Sequence, residues 1–320
     1  MNAPLHWDGT VPPVLPPSLP DLAEEYFTHA VRIRGVHESR RDAERPYLKR
    51  FFDWFGPPDE PADLFRRINA DSVTQYLIEY ASKYGPGSRH CMQDTTRLFL
   101  RFAYHVGYMD RDLSALSPCV RQPRMGRVMR PIPQDCIATL QNSITDDTPA
   151  DLRDRAIICL LSTYGVRGVQ VRRLCLEDVD WSRERIHFCP VKRGRAVEQH
   201  LTASAGNRLA EYLRDGRPRS CHREVFLHTH EPFGPLARPQ QLSRILEKRI
   251  KQAGIELPEG VPYGAHGFRH AFASRMYGRV PFKDVMDMLG HRSPCSTLIY
   301  GKVDIVALRK AALPWPGGAR

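Results

Sequence analysis

The sequence predicts a mainly α-helical protein with two domains and one small antiparallel β-sheet in the second. Apolar residues recur at helical spacing through most of the 320 residues. Glycine and proline interrupt these stretches at intervals that suit helices of ordinary length. The strand-like segments are short and lie together between residues 185 and 229, unlike the regular β-α alternation of a parallel sheet.

The first domain is predicted at residues 21–112, after a proline-rich and flexible leader at 1–20. Asp71 is the predicted N-cap of its third helix, which Gly85-Pro86-Gly87 closes. The predicted helices of this domain are 22–35, 39–55, 71–84 and 88–106. They indicate a compact all-helical unit of ordinary domain size.

A basic linker is predicted at residues 113–132, because prolines keep this segment extended and arginines charge it. Its arginines are Arg121, Arg124, Arg127 and Arg130. They either contact DNA phosphates or merely decorate an exposed connector, and the sequence leaves both interpretations open.

The second domain is predicted at residues 133–312, followed by a tail at 313–320. Its strands are expected at 185–189, 196–202 and 224–229, with a turn at Lys192-Arg193-Gly194 between the first two. Its helices are expected at 133–144, 149–164, 169–176, 239–253, 267–277, 282–290, 294–300 and 304–312.

Charge is concentrated in the second half of the chain. Residues 1–150 carry 18 basic and 19 acidic side chains, whereas residues 151–320 carry 29 basic and 17 acidic ones. Such an excess is typical of a protein that binds a polyanion, although a solubilising surface would look similar.

The eight cysteines form no Cys-x-x-Cys pair, and Cys159 and Cys189 lie within apolar runs. We interpret them as small side chains that pack in the core of a protein from a reducing compartment, not as disulfides or zinc ligands. No apolar stretch approaches the ~20 residues needed to span a bilayer, and no signal peptide is visible. The sequence therefore predicts a soluble cytoplasmic protein without a membrane partner.

His266 and Arg269 are three residues apart at the start of a predicted helix and share one face of it. His266 and His270 have the spacing of a zinc pair, but no third ligand or metalloprotease glutamate accompanies them. We therefore predict no metal site and no cofactor.

Gly290 is suited to a left-handed helix end, which would turn His291 away from the helix axis. Ser293-Pro294 then begins another helix, and Tyr300 lies near its end, nine residues after His291. A tyrosine beside a glycine is ordinary by itself. It becomes informative because it follows Gly-His and His-x-x-Arg.

Five motifs occur in a fixed order along the second domain. They are Gly165-Val166-Arg167, Val191-Lys192-Arg193-Gly194, His266-Gly267-Phe268-Arg269, Leu289-Gly290-His291 and Ile299-Tyr300. This ordered set resembles the tyrosine recombinase (phage integrase) family over about residues 133–312. The helical unit at 22–112 fits the core-binding domain of that family only in length and helix content.

The resemblance implies a site-specific DNA recombinase that cleaves and rejoins strands through a 3′-phosphotyrosyl bond, without metal or ATP. It assigns Tyr300 as the nucleophile and His266 as the general base. Arg167, Arg269 and His291 would bind the phosphate, and Lys192 would protonate the leaving oxygen. Arg193 and Arg195 compete with Lys192 for the hairpin position and are also predicted to bind DNA.

The implied partners are double-stranded DNA and further protomers, as a tetramer of this chain or together with related recombinases. A mobile element is the predicted genetic context. One position departs from the family, since Gln170 stands where the family has an acidic residue three positions after the first arginine. The alternatives are DNA relaxation of the type IB topoisomerase kind, a non-catalytic DNA-binding relative and a metal-dependent nuclease.

Overall fold

The computed structural model describes residues 14–35, 38–56, 60–117, 130–191 and 195–301. The chain divides into two compact units, Met1–Arg124 and Met125–Arg320. The described residues are mostly helical, with one three-stranded antiparallel sheet in the second unit. The predicted fold class is confirmed. No helix among the described residues has the length and apolar character needed to cross a membrane.

The first unit is a helical bundle with an aromatic core. Its helices are α1 (Leu19–Arg34), α2 (Glu38–Trp54), α3 (Pro61–Arg67), α4 (Ala70–Lys83) and α5 (Pro86–Val106). Tyr26, Phe51 and Phe99 are at most 1% exposed, and the Phe99 ring lies 5.8 Å from each of the other two. Their edge-to-face contacts join α1, α2 and α5.

One helix of this unit was not predicted, and one predicted N-cap was wrong. Helix α3 was not predicted, because seven residues are too few to show a helical period. Helix α4 begins after Asn69 and not at Asp71, because Asn69 and Ser72 form a reciprocal capping box.

The second unit is built around α7 (Pro149–Tyr164), whose side chains are buried on nearly every side. Its other helices are α6 (Gln134–Asn142), α8 (Gly168–Arg172), α9 (Ala203–Glu211), α10 (Pro239–Gln252), α11 (Ala265–Met276), α12 (Phe282–Met288) and α13 (Cys295–Gly301). A π-helical turn, Tyr212–Gly216, extends α9. Helix α9 was not predicted, and α8 is shorter than expected.

The sheet has the order β1-β2-β3, with β1 at Val179–Asp180, β2 at Arg185–Phe188 and β3 at Val197–His200. Val179 pairs with Ile186, and Phe188 pairs with Val197. The prediction of a third strand at 224–229 was wrong, because that segment forms only isolated bridges while its apolar side chains enter the core. Cys159 is buried as expected, but Cys189 is exposed just after β2.

Both described ends of the predicted linker lie in the compact units. Ser114 and Ser117 are buried in the first unit, where the Ser117 hydroxyl donates to the Gln93 carbonyl. Ile132 belongs to the core of the second unit. The leader residues 1–13, the linker residues 118–129 and the predicted helix at 304–312 lie outside the described residues.

Candidate active site

Arg167 stands on a tight turn between α7 and α8. Gly165 ends α7 in the left-handed conformation with φ 60°. A Cβ at this position would lie 2.4 Å from the Phe272 ring of α11, so only glycine allows this approach. The turn fixes the backbone of Arg167, and its half-buried side chain borders a cavity that Arg269 and Tyr300 also line.

Gln170 is 2% exposed and holds this turn against the sheet. Its Oε1 accepts a hydrogen bond from the Arg167 backbone N–H at 3.0 Å, and its Nε2 donates to the Cys189 carbonyl at 3.1 Å. Only one orientation of the amide satisfies both partners. These bonds join Gln170 to main-chain atoms of the turn and of the segment that leads into the β2–β3 hairpin.

Arg269 is 3% exposed on α11 and joins two turns. Its Nη1 donates to the Gly165 carbonyl at 2.9 Å, and its Nη2 donates to the Leu289 carbonyl at 2.7 Å. The same Nη2 lies 2.7 Å from Nε2 of His291. Burial and the charge of Arg167 lower the pKa of Arg269 to about 10, which leaves it cationic at neutral pH.

His291 follows a glycine turn at the end of α12. Gly290 has φ 62°, and the His291 N–H bonds to the Met286 carbonyl, as in a Schellman motif. The left-handed turn predicted here is confirmed. Burial, Arg269 and Arg167 lower the pKa of His291 to about 3, so its ring is neutral in the folded protein.

Tyr300 is 2% exposed on α13 and lies near two histidine rings. The His291 ring is parallel to it at 6.5 Å, and the His270 ring lies 5.5 Å away. Burial raises the pKa of Tyr300, and the charges of Arg269 and Arg167 oppose this shift. The phenol is therefore protonated at neutral pH but lies close to two cations that would stabilise its anion.

His266 is exposed at the start of α11, with its ring 6.3 Å from that of His270. His270 is 5% exposed, and burial together with His266 and Arg269 lowers its pKa to about 4. Sequence reasoning considered His270 only as a metal ligand. Among the described residues, no three His, Cys, Asp or Glu side chains are grouped so as to hold a metal ion.

Of the polar side chains described above, all except Gln170 line one open cleft, formed by two adjoining cavities of about 530 and 790 Å³. Arg167, His266, His291 and Ser296 border both cavities. Arg269 and Tyr300 border the larger one. Two guanidiniums, a phenol and neutral imidazoles at one concave surface are suited to binding an anion and forming a covalent bond to it.

The sequence profile of the phage integrase family matches residues 132–305, which contain every side chain of this cleft except Arg130. The chain belongs to this family of tyrosine recombinases. The first unit lies outside the matched region.

Two relatives show how far the similarity extends. The chain is 34% identical over 307 residues to the putative integrase/recombinase y4rA of Sinorhizobium fredii, covering 95% of this chain and 73% of that protein. It is 28% identical to the tyrosine recombinase XerD of Corynebacterium glutamicum, covering 92% and 97% of the two chains.

Among solved structures, the fold is similar to that of a lambda integrase tetramer bound to a Holliday junction. The TM-score is 0.68 at 16% identity, covering 90% of this chain and 77% of that one. Both units of this tyrosine recombinase therefore have counterparts of known fold.

The structure brings together Arg167, His266, Arg269, His291 and Tyr300, as the sequence motifs predict. Arg130 also borders the larger cavity and donates to the Glu259 carbonyl at 3.1 Å. Arg195 does not border this cleft, and its guanidinium lies 3.8 Å from Asp287. Five predicted residues lie outside the described part of the chain, namely Arg121, Arg124, Arg127, Lys192 and Arg193.

Sequence reasoning missed two contacts that shape the site. One is the main-chain bridge made by Gln170. The other is the hydroxyl of Thr297, which lies 2.7 Å from Nδ1 of His291. The sequence shows only that Thr297 precedes Tyr300 by three residues and therefore shares its helix face.

Proposed function

We propose that this chain is a site-specific DNA recombinase that cleaves and rejoins strands through a covalent bond from Tyr300 to a 3′-phosphate. The observation that carries the proposal is the single cavity shared by Tyr300, Arg167 and Arg269. A phosphodiester in this cavity would be held by two cations beside the phenol. The family to which the chain belongs supports the same reaction.

In the proposed reaction the Tyr300 oxygen attacks phosphorus, the phosphotyrosyl bond forms, and the bond to the 5′-oxygen breaks. His266 accepts the phenol proton as general base. Lys192, which lies outside the described residues, protonates the departing 5′-oxygen. The reverse attack by a 5′-hydroxyl of another strand restores the phosphodiester, so the exchange needs no ATP.

Arg167 and Arg269 would stabilise the charge on the non-bridging oxygens in the transition state. Three donated bonds of Arg269 already go to Gly165, Leu289 and His291. Since a guanidinium has five N–H groups, at most two remain for the phosphate. This arrangement gives Arg269 a fixed orientation before DNA binds, as preorganised electrostatic stabilisation requires.

Double-stranded DNA and further copies of this chain, as a tetramer, are the proposed partners, and a heteromeric assembly with related recombinases is the alternative. The lambda integrase tetramer on a Holliday junction has the same fold and supports this assembly. We further propose that the protein is cytoplasmic and that it acts as the recombinase of a mobile element.

A trapping experiment tests the reaction. Nicked duplexes that span the DNA flanking the coding sequence lose the 5′-hydroxyl strand after cleavage, so a covalent protein–DNA adduct should accumulate. Tyr300→Phe should give none, whereas Tyr104→Phe, at an exposed tyrosine of α5, should behave as wild type. EDTA should have no effect.

Two outcomes would overturn the proposal. An adduct formed by Tyr300→Phe would show that another residue is the nucleophile. Efficient relaxation of a supercoiled plasmid that lacks the flanking DNA would indicate a topoisomerase and not a site-specific recombinase.

A further inference from the structure

Both ring nitrogens of His291 have hydrogen-bond partners. Nε2 lies 2.7 Å from Nη2 of Arg269, and Nδ1 lies 2.7 Å from Oγ1 of Thr297. A guanidinium has only donors, so Nε2 must be the acceptor. The proton of the neutral ring is then on Nδ1, and the Thr297 hydroxyl accepts it. The tautomer of His291 is thus determined by its two neighbours, and in this arrangement the ring has no N–H left for the phosphate contact that the family resemblance implies.

Thr297 is completely buried, with 0% exposure, and lies on α13 three residues before Tyr300. Side chains three residues apart on a helix occupy the same face. The bond from His291 to Thr297 therefore joins the helix that carries Tyr300 to the Arg269–His291 pair. Arg269 continues the connection to the Gly165 carbonyl, two residues before Arg167.

We propose that Thr297 is a positioning residue for the phosphoryl transfer assigned to Tyr300. Its hydroxyl keeps His291 in the Nδ1–H tautomer, so that Nε2 can accept from Arg269. The same bond fixes α13 in register with the cation pair. Thr297 would touch no substrate, and the inference rests on the proposed function of Tyr300.

Removing the hydroxyl should disturb both effects. In Thr297→Val the side chain keeps its shape, but the buried Nδ1–H loses its acceptor. If the ring instead moves its proton to Nε2, two donors face each other at Arg269. The first result loosens α13 from the His291–Arg269 pair, and the second displaces the guanidinium. A lost buried hydrogen bond of this kind corresponds to a rate about ten- to a hundredfold lower.

The first test measures single-turnover adduct formation on the nicked duplex. Thr297→Val should be slower by about tenfold or more, and Thr297→Ser should stay within about threefold of wild type because it keeps the acceptor. Leu298→Ala, at a 43% exposed position of the same helix, controls for general disturbance of α13. Equal rates for the Val and Ser variants would overturn the inference.

The second test reads the tautomer without relying on activity. Nitrogen-15 chemical shifts of His291 at pH 7 should show protonated Nδ1 and bare Nε2 in wild type and in Thr297→Ser. A wild-type ring protonated on Nε2 would contradict the inference even if Thr297→Val were inactive or unfolded. If Tyr300→Phe still forms the adduct, the proposed function fails, whereas this tautomer result stands independently.

Discussion

The Nη1 group of Arg269 donates a hydrogen bond to the carbonyl of Gly165, 104 residues earlier in the chain, at 2.9 Å. Through this bond a buried guanidinium of α11 holds the turn that presents Arg167. Burial lowers the pKa of Arg269, and the like charge of Arg167 lowers it further, so the proximity of the two cations requires such fixed contacts. Binding an anion between them would relieve the repulsion.

Arg269→Lys should abolish most activity although charge is conserved. A lysine cannot donate in a fixed fork to the Gly165 and Leu289 carbonyls, and both carbonyls would lose a buried partner. We expect adduct formation to fall by about 100-fold or more and stability by about 2–4 kcal/mol. Arg279→Lys, at an exposed site just after α11, is the matched control and should leave both quantities unchanged.

Gly165→Ala should destabilise the protein more than Gly254→Ala. Both glycines are left-handed, with φ 60° and 64°, so both substitutions carry a backbone cost of about 1–2 kcal/mol. A Cβ at Gly254 meets nothing within 4 Å, whereas at Gly165 it meets Phe272 at 2.4 Å. Overpacking adds about 1–3 kcal/mol there. Urea unfolding measures both variants, and equal losses would show that Phe272 yields freely.

Gln170→Glu restores the acidic residue of the family and should nevertheless impair this protein. The new carboxylate would face the Cys189 carbonyl in a buried position, so its pKa would be raised. A carboxyl group whose pKa is raised in the folded state stabilises the protein at pH values below its unfolded pKa near 4.3. This stabilisation is lost as the pH rises through the folded-state pKa. We expect the stability deficit of the variant relative to wild type to be larger at neutral pH than at pH 5, as urea unfolding of both proteins at the two pH values would show. A gain in activity at neutral pH would instead favour pairing of the carboxylate with Arg167.

Acid should destabilise the second unit through His291 and His270. Their pKa values of about 3 and about 4 lie below the usual 6.5, so between these limits the unfolded state binds more protons. As the pH is lowered, the free energy of unfolding should therefore decrease by up to about 1.4 kcal/mol per pH unit for each histidine. Urea titrations from pH 7 to pH 4.5 measure the slope. His291→Asn should reduce it, and an unchanged slope would contradict a neutral buried His291.

Arg130→Ala should weaken DNA binding in a salt-dependent manner. Arg130 borders the same cavity as Tyr300. We expect its guanidinium to contact a single phosphate of bound DNA. For binding to a nonspecific duplex, the slope of log K against log salt concentration should become less steep by about 0.9. Arg214→Ala removes an exposed arginine that is paired with Asp215 and is the control. Identical slopes for the two variants would contradict the contact.

Local signals located the elements where caps and breakers are strong. Thr148, Pro149 and Gly165 delimit α7 at the predicted residues, because capping and left-handed geometry depend only on neighbours in sequence. The pairing of strands in a sheet does not depend only on neighbours in sequence. The apolar segment at 224–229 has the composition of a strand. Its side chains nevertheless pack in the core, and its backbone forms only isolated bridges instead of a β-ladder.

The sequence by itself determined the helical fold class, the ordered motifs and therefore the family, since chemical identity and spacing are local properties of the chain. Only the tertiary structure decided which main-chain atoms Gln170 binds, that both ring nitrogens of His291 have hydrogen-bond partners, and that the Thr297 hydroxyl is one of those partners. These facts concern partners between 3 and 22 residues apart. Hydrogen-bond partners are set by how turns approach one another in the packed core, which residue spacing does not specify.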